Sequence, residues 1–108
     1  MHPTAPHNKK IREIIKREKS KGSKHKGGGS KKEVIIDTGL GKDPKKPYRR
    51  MDATFNDKDG KEYHINVGLE NQDGTPIKRE RDAIEDVKGV GKDIKFEPYG
   101  KRSNKKKT

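Results

Sequence analysis

Two acidic residues of this sequence, Asp52 and Glu80, are the strongest candidates for chemistry. Glu80 falls inside the apolar stripe of a predicted helix, three residues after Ile77 and four before Ile84. Burial of an unpaired charge is unfavourable, so an acid on that stripe indicates either an ion pair or a bound cation. Three basic neighbours on the same helix could supply the ion pair: Lys78, Arg79 and Arg81. A further interpretation is a side chain that extends outward into solvent.

The hairpin predicted around a turn at Gly60 places Asp52 beside other polar side chains. A three-residue loop with glycine in the left-handed position sets Phe55 opposite Tyr63, and the same register sets Asp52 opposite Asn66. One face of this hairpin is apolar and comprises Met51, Ala53, Phe55, Tyr63, Ile65 and Val67. The other face is polar and comprises Asp52, Thr54, His64 and Asn66. The structural alternative is that the polar face is the solvent side of an ordinary antiparallel pair.

Basic residues surround these acids along the chain. Four of them precede Asp52 in a loop with two prolines: Lys45, Lys46, Arg49 and Arg50. Carboxylates that hold Mg²⁺ beside Lys or Arg are the usual equipment for phosphodiester hydrolysis. We therefore expect Asp52 and Glu80 to bind a divalent metal, with Asn66 orienting water or the metal. Lys78 or Arg79 would stabilise the reacting phosphate, and Arg79 and the loop cations would bind nucleic acid. The alternative for the loop is a solvated charge run.

The elements that must position these residues follow the order α-β-β-β-α-β, which predicts an α/β (α+β) fold with a small mixed sheet. Helices are expected at 9–19, capped by Asn8, and at 76–88, capped by Thr75. Strands are expected at 33–37, 48–55, 61–68 and 93–99. The Gly-, Ser- and Lys-rich residues 24–32 predict a flexible linker.

The positive charge is concentrated at the two ends of the chain. Residues 1–32 carry eleven Lys or Arg against two Glu, and residues 101–108 carry five against none. Residues 33–100 are nearly balanced, with thirteen basic and fifteen acidic side chains. Basic arms are typical of binding to phosphate backbones, and a solubilising tail is the alternative. We therefore expect a basic helix and linker at 1–32, a nuclease domain at 33–100 and a basic tail at 101–108.

The amino-acid composition further narrows the class of protein to which this chain could belong. The 108 residues are 43% charged and only 23% apolar, which limits the chain to one domain with a modest core. The absence of cysteine excludes disulfides and thiolate chemistry. No apolar run approaches the roughly 20 residues of a membrane span, and no signal-peptide segment is visible. We expect a monomer that makes no use of a membrane.

The order α-β-β-β-α-β, with an Asp early in the second strand, resembles the core of the restriction-endonuclease-like nucleases. In that superfamily, the Asp and an acid-x-Lys triplet on the third strand bind the metal and activate water. By position, Asp52 corresponds to the first acid, although it follows Met51 where the family usually has Pro.

The triplet falls at Asn66-Val67-Gly68, which lacks both the acid and the lysine. Catalytic residues have moved to other elements in some members of that superfamily. The resemblance therefore implies that Glu80 and Lys78, on the following helix, supply the missing charges.

Residues 47–99 resemble more closely the C-terminal toxin domains of bacterial polymorphic toxins. The segments concerned are PYRRMDATFNDKDGKEYHINVG, GTPIKRERDAIEDV and IKFEPY. Members of that group pair an Arg-x-x-Asp strand with a strand ending in Val-Gly and a helix opening with Gly-x-Pro and Arg-Glu. The resemblance implies a secreted toxin delivered into the cytoplasm of a competing cell, as in contact-dependent inhibition. It also implies a nucleic-acid substrate, DNA favoured over RNA, and a cognate immunity protein, which we expect to be acidic.

Two other functions are compatible with the sequence. A non-enzymatic nucleic-acid-binding or RNA-binding protein would account for the basic arms but not for Glu80 on an apolar stripe. A ribonuclease toxin that needs no metal would instead use His64 as its general base.

Overall fold

The computed structural model describes residues 5–39 and 47–102, which form two helices and six strands. In chain order these are α1 (Ala5–Ser20), β1 (Lys24–Gly28), β2 (Ile35–Asp37), β3 (Tyr48–Arg50), β4 (Ala53–Asn56), β5 (Glu62–Glu70), α2 (Lys78–Gly89) and β6 (Ile94–Lys101). Four strands form a mixed sheet in the order β1-β4-β5-β6, in which only β5 and β6 run parallel. β2 and β3 form a separate antiparallel pair. The protein is therefore a small α+β domain with a mixed sheet, as predicted.

The first strand of the larger sheet is not the predicted one. Residues 24–32 were expected to form a linker, yet Lys24–Gly28 pairs antiparallel with β4. Gly28 has φ of +83°, and a Cβ there would lie 1.9 Å from the carbonyl oxygen of Asp52. The glycines therefore serve a close approach between backbones rather than flexibility, and the linker prediction is wrong over β1. The predicted first strand pairs with β3 instead.

The predicted hairpin is confirmed from Ala53 onward. Phe55 pairs with Tyr63 and Ala53 pairs with Ile65, and Gly60 adopts φ of +83° in the turn. The chain before Ala53 differs from the prediction, because the expected strand 48–55 breaks into β3 and β4. The two pieces belong to different sheets, so the break at residues 51–52 is where the chain passes from one sheet to the other.

Two apolar clusters hold these elements together. α1 packs Ile11 and Ile14 against the face of the larger sheet that carries Ala53, Phe55, Tyr63, Ile65 and Val67. A second cluster joins Met51 to Ile36, Val87 and Ile94. The prediction that Met51 shares a face with Val67 is therefore wrong, because the break in the strand turns Met51 toward the residues of β2 and α2.

The polar face of the hairpin is not a solvent face. Thr54, His64 and Asn66 are 0%, 1% and 5% exposed. This burial excludes the solvent-side alternative for the hairpin and leaves three polar side chains that must find partners inside the protein.

Both helices begin elsewhere than predicted. α1 begins at Ala5, before the expected cap Asn8. α2 begins at Lys78 with Ile77 as its N-terminal cap residue, which forms no side-chain capping bond. Thr75 instead donates its hydroxyl to Asp73 within the preceding turn. No helix within residues 5–39 and 47–102 has the length and apolar character needed to cross a membrane.

Candidate functional site

Asp52 lies immediately before β4, at the break between the two sheets. Its backbone N–H donates to Asn66 Oδ1 at 3.0 Å, and its carboxylate Oδ2 accepts the backbone N–H of Val67 at 2.7 Å. The first bond holds the backbone of Asp52 against β5, and the second holds its side chain there. Asp52 and Asn66 are thus neighbours, as the predicted register requires. Because Asn66 is 5% exposed and already accepts this bond, it acts as a support for Asp52.

Glu80 reaches the same region from the first turn of α2. A Cβ at Gly68 would lie 2.5 Å from Glu80 Cδ and 2.6 Å from Glu80 Oε2, so the carboxyl group rests directly on the glycine backbone. Any side chain at position 68 would take up this space. Gly68, which occupies the last position of the triplet, therefore leaves room for an acid that arrives from α2.

The ion-pair alternative for Glu80 has little geometric support. Lys78 pairs with Asp82 at 2.8 Å, and Arg81 donates to the carbonyl of Pro76 at 2.8 Å. Arg79 remains, with its Nε at 3.9 Å from Glu80 Oε2 and its side chain 81% exposed. A contact at that distance and exposure is a weak ion pair. The Glu80 side chain is itself only 14% exposed, so it does not extend into solvent.

His7, in the first turn of α1, is a further member of the site. Its Nε2 lies 3.2 Å from the carbonyl oxygen of Val67 and 3.7 Å from Asp52 Oδ2. A carbonyl can only accept, so Nε2 carries the proton and donates it. The ring also packs edge-on against Tyr99, with centroids 5.5 Å apart. α1 therefore contributes a polar side chain beside the Asp52 carboxylate.

These groups line an open cavity of about 320 Å³. The charged and polar side chains that border it are His7, Tyr48, Arg49, Arg50, Asp52, Asn66, Arg79 and Glu80. A site with two acids beside accessible arginines can hold both a cation and an anionic group at once, because a carboxylate and a guanidinium each take a partner of opposite sign.

The two acids of the cavity are perturbed in the same direction. Burial raises the pKa of Asp52, although the backbone hydrogen bond from Val67 and the charge of His7 oppose that rise. Burial also raises the pKa of Glu80, and the negative charge of Asp52 adds to the rise. Neighbouring donors and cations therefore do not fully offset the burial of these two negative charges. Such incomplete compensation is typical of sites that bind a ligand of opposite charge.

The three arginines are held in different ways. Arg49 donates from Nη2 to Asp86 on α2 at 2.9 Å, with both side chains largely buried. Arg50 lies over the ring of Tyr48, with Cζ 5.9 Å from its centroid, and its side chain is 59% exposed. Arg49 is thus part of the scaffold that joins β3 to α2, whereas Arg50 and Arg79 are accessible at the cavity rim.

Two of the predicted site residues, Lys78 and His64, are not brought to the cavity. Lys45 and Lys46 lie outside the described residues. Lys78 is 77% exposed and pairs with Asp82. His64 is 1% exposed, with Nδ1 bonded to Thr54 at 2.8 Å and Nε2 at 3.3 Å from Glu62. Burial lowers the pKa of His64, and the enclosed ring has no path to a substrate.

The residues of the cavity fit a magnesium ion better than a zinc ion. Within the described part of the chain, no group of three or more His, Asp or Glu side chains has metal-ligand geometry. Structural and catalytic zinc require three or four protein ligands, whereas Mg²⁺ binds through one or two carboxylates and keeps several waters. Asp52 and Glu80 would be those two carboxylates.

Sequence reasoning missed His7 because the contact spans 60 positions of the chain. A histidine at the start of a basic helix carries no local pattern that points to Val67 or Asp52. The available signal was indirect: Ile11 and Ile14 predict which face of α1 packs on the sheet, and His7 lies one turn before Ile11 on that face.

No known protein family, curated protein or solved structure matches this chain with significant similarity.

Proposed function

We propose that this protein is a metal-dependent nuclease. The observation that carries the proposal is the pair Asp52 and Glu80: two largely buried acids with raised pKa values that face one cavity rimmed by arginines. Two carboxylates beside cationic side chains are the arrangement that phosphodiester hydrolysis uses. A structural ion-pair network would instead show each acid matched to its own base.

Each residue has a part in this proposal. Asp52 and Glu80 hold the divalent metal, most simply Mg²⁺, which when bound supplies Lewis acidity and a more acidic water. Arg50 and Arg79 bind the phosphate group at the rim. Asn66 holds the backbone of Asp52, and His7 lies beside the Asp52 carboxylate. Lys78, bound to Asp82, has no direct part.

The likeness to restriction-endonuclease-like nucleases supports the same function. Around the larger sheet the elements run α1, β1, β4, β5, α2, β6, which is the order α-β-β-β-α-β of that core. Asp52 comes just before the second of these strands, where the family has its first acid. In our proposal Glu80 replaces the acid of the missing triplet, because Gly68 leaves space for it.

The biological setting follows from the likeness to polymorphic toxins. The protein would act in the cytoplasm of a competing bacterial cell on DNA or RNA, and an acidic immunity protein would protect the producer. An acidic partner suits a chain of net charge +12.

The test is incubation of the protein with plasmid DNA and with total RNA, each with Mg²⁺ or with a chelator. We expect degradation that the chelator abolishes. Degradation that survives the chelator would contradict the metal-dependent mechanism and favour a metal-independent ribonuclease. Binding without any degradation would contradict the enzyme assignment and favour a nucleic-acid-binding protein. Glu85→Gln, an exposed acid on the same helix, is the matched control for Glu80→Gln.

A further inference from the structure

A second and larger cavity of about 960 Å³ runs along α1. Its far wall is formed by the chain around Gly29, Ser30 and Glu33. His7 lines this groove and also lines the cavity that holds Asp52 and Glu80, so the two spaces meet at His7. A long ligand bound at the site could therefore extend into the groove.

The groove has an apolar floor and a cationic rim. Ile15 provides most of this floor, because Ile11, which also lines the groove, is only 6% exposed. Arg12, Lys16 and Lys19 line it as well, and their spacing of four and three residues places them on one side of α1. The three cationic side chains therefore form a row beside an apolar strip.

These three cations differ from Lys10 and Arg17 on the same helix and from Lys21 just after it. Arg17 is hydrogen-bonded to Glu97, which also lies 3.7 Å from Lys10. Lys21 pairs with Glu18 at 3.2 Å. By contrast, within the described residues no ion pair involves Arg12, Lys16 or Lys19, although all three are exposed. The acid on the opposite wall, Glu33, lies 4.0 Å from Arg50. The row thus presents three charges that pair with no acid in the described part of the chain.

We propose that this groove binds an unpaired nucleic-acid strand next to the phosphate that occupies the candidate site. The inference rests on the proposed function and names its substrate class. The phosphates of the strand lie along Arg12, Lys16 and Lys19, and the bases pack on the apolar floor.

The apolar floor is the reason for an unpaired strand. In a duplex the bases are stacked inside, and a protein meets phosphates and base edges. Only an unpaired strand can turn its base faces onto apolar side chains while its backbone follows a cationic groove. DNA and RNA strands share this chemistry, so the test uses both.

The test measures the fluorescence anisotropy of labelled oligonucleotides of about 12 nucleotides. The DNA strand, the RNA strand of the same sequence and the corresponding DNA duplex are each titrated in chelator, at several salt concentrations. The variant combines Arg12→Gln, Lys16→Gln and Lys19→Gln, which retains good helix formers on exposed positions.

The matched control removes three exposed lysines that do not line the groove: Lys61→Gln, Lys88→Gln and Lys92→Gln. We expect the groove variant to bind the single strand roughly 10- to 100-fold more weakly, with a salt slope shallower by about 2. The control should change affinity by less than about threefold, because none of its charges lines the groove.

Tighter binding of a single strand than of the duplex supports the proposal, and the tighter of DNA and RNA identifies the strand. Equal losses of affinity in the groove variant and the control, or tighter binding of the duplex, would overturn the proposal. A groove that binds an acidic protein instead of nucleic acid would give these outcomes. Cleavage tests the two ideas separately. A protein that binds strands in the groove but cleaves none contradicts the proposed function alone. A protein that cleaves them equally well without Arg12, Lys16 and Lys19 contradicts the groove alone.

Discussion

Glu18 and Glu80 are both glutamates of α-helices that point into the body of the protein, yet their surroundings are opposite. Glu18 is 5% exposed and accepts the hydroxyl of Tyr63 at 2.7 Å. Arg17 donates to its other oxygen at 2.9 Å, and Lys21 lies 3.2 Å from that oxygen. Burial alone would raise the pKa of Glu18, but these three donors outweigh it and hold the pKa below its usual value.

Glu80 lacks such a set of donors among the described residues, and burial together with Asp52 raises its pKa. The fold compensates the buried charge of Glu18 with hydrogen-bond donors and cations, whereas it leaves the charge of Glu80 without such compensation. The hydrogen-bond network of Glu18 extends to Ser23, whose hydroxyl lies 2.7 Å from the Tyr63 hydroxyl. The Glu80 side chain instead borders an open cavity. Local violations of good packing of this kind are expected where a protein binds a ligand.

Loss of activity is the largest effect that the comparison predicts. Asp52→Asn or Glu80→Gln should lower the cleavage rate by more than about a hundredfold, because each removes a charge that holds the metal. The double variant should lose no more than either single one, since both act as a unit. Rates on plasmid and on RNA at fixed Mg²⁺ measure this effect. Rates within a few-fold of the wild type would place the chemistry elsewhere.

Stability should respond in the opposite sense at the two sites. Glu18→Gln should lower the free energy of unfolding by about 2 kcal/mol, because it weakens hydrogen bonds to charged donors inside the protein. Glu80→Gln should leave it unchanged or raise it slightly, because a poorly compensated charge disappears. Urea unfolding at neutral pH compares the two variants. A larger loss in Glu80→Gln than in Glu18→Gln would reverse our assignment of the two roles.

Gly68→Ala tests the space that the glycine leaves for Glu80. The added methyl group would come within 2.5 Å of Glu80 Cδ, and the flexible end of Glu80 can move aside. We expect about a tenfold loss of cleavage from the misplaced carboxylate, with unfolding changed by less than about 1 kcal/mol. The matched control is Gly89→Ala, because a Cβ at Gly89 meets open space. Gly39→Ala would not serve as a control, because Gly39 has a positive φ. Full activity of Gly68→Ala would contradict a role of the Glu80 carboxylate in the reaction.

The pH dependence of stability gives the smallest effect. The pKa of Glu18 is below its usual value of 4.5, so its ionised form stabilises the fold above that pH. This contribution is lost as pH falls through the lower pKa of the folded state. The stability gap between wild type and Glu18→Gln should thus be constant near neutrality and narrow below about pH 4.5. A gap that widens on acidification would contradict the lowered pKa.

Local patterns predicted the parts of the site that neighbours along the chain determine. Alternation of apolar and polar residues, with Gly60 at the turn, gave the register that sets Asp52 beside Asn66. Helical spacing placed Glu80 on the inner face of α2. The Gly68 contact with Glu80 joins a strand to the helix that follows it, and nothing in the spacing of either element alone reveals it.

Features that depend on distant packing were missed or wrong. The composition of β1 is that of a linker, and only close contacts explain its glycines: Gly28 approaches the backbone of Asp52, and Gly27 approaches Lys32 and Val34. The break after Arg50, which sends Met51 into the second apolar cluster, follows from the separate pairing of β2 with β3. A period of two residues is continuous in the sequence there, so alternation alone could not locate the break.

The most direct test of the account is whether Asp52 and Glu80 together bind Mg²⁺ in the absence of nucleic acid. Thermal unfolding is followed with and without about 10 mM Mg²⁺, against sodium chloride of equal ionic strength. With a dissociation constant on the order of 1 mM, the ion adds about 1.4 kcal/mol of stability, which raises Tm by several degrees. The double variant Asp52→Asn/Glu80→Gln should show no such rise. An equal rise in the double variant, or none in the wild type, would contradict the central claim that these two acids form a cation site.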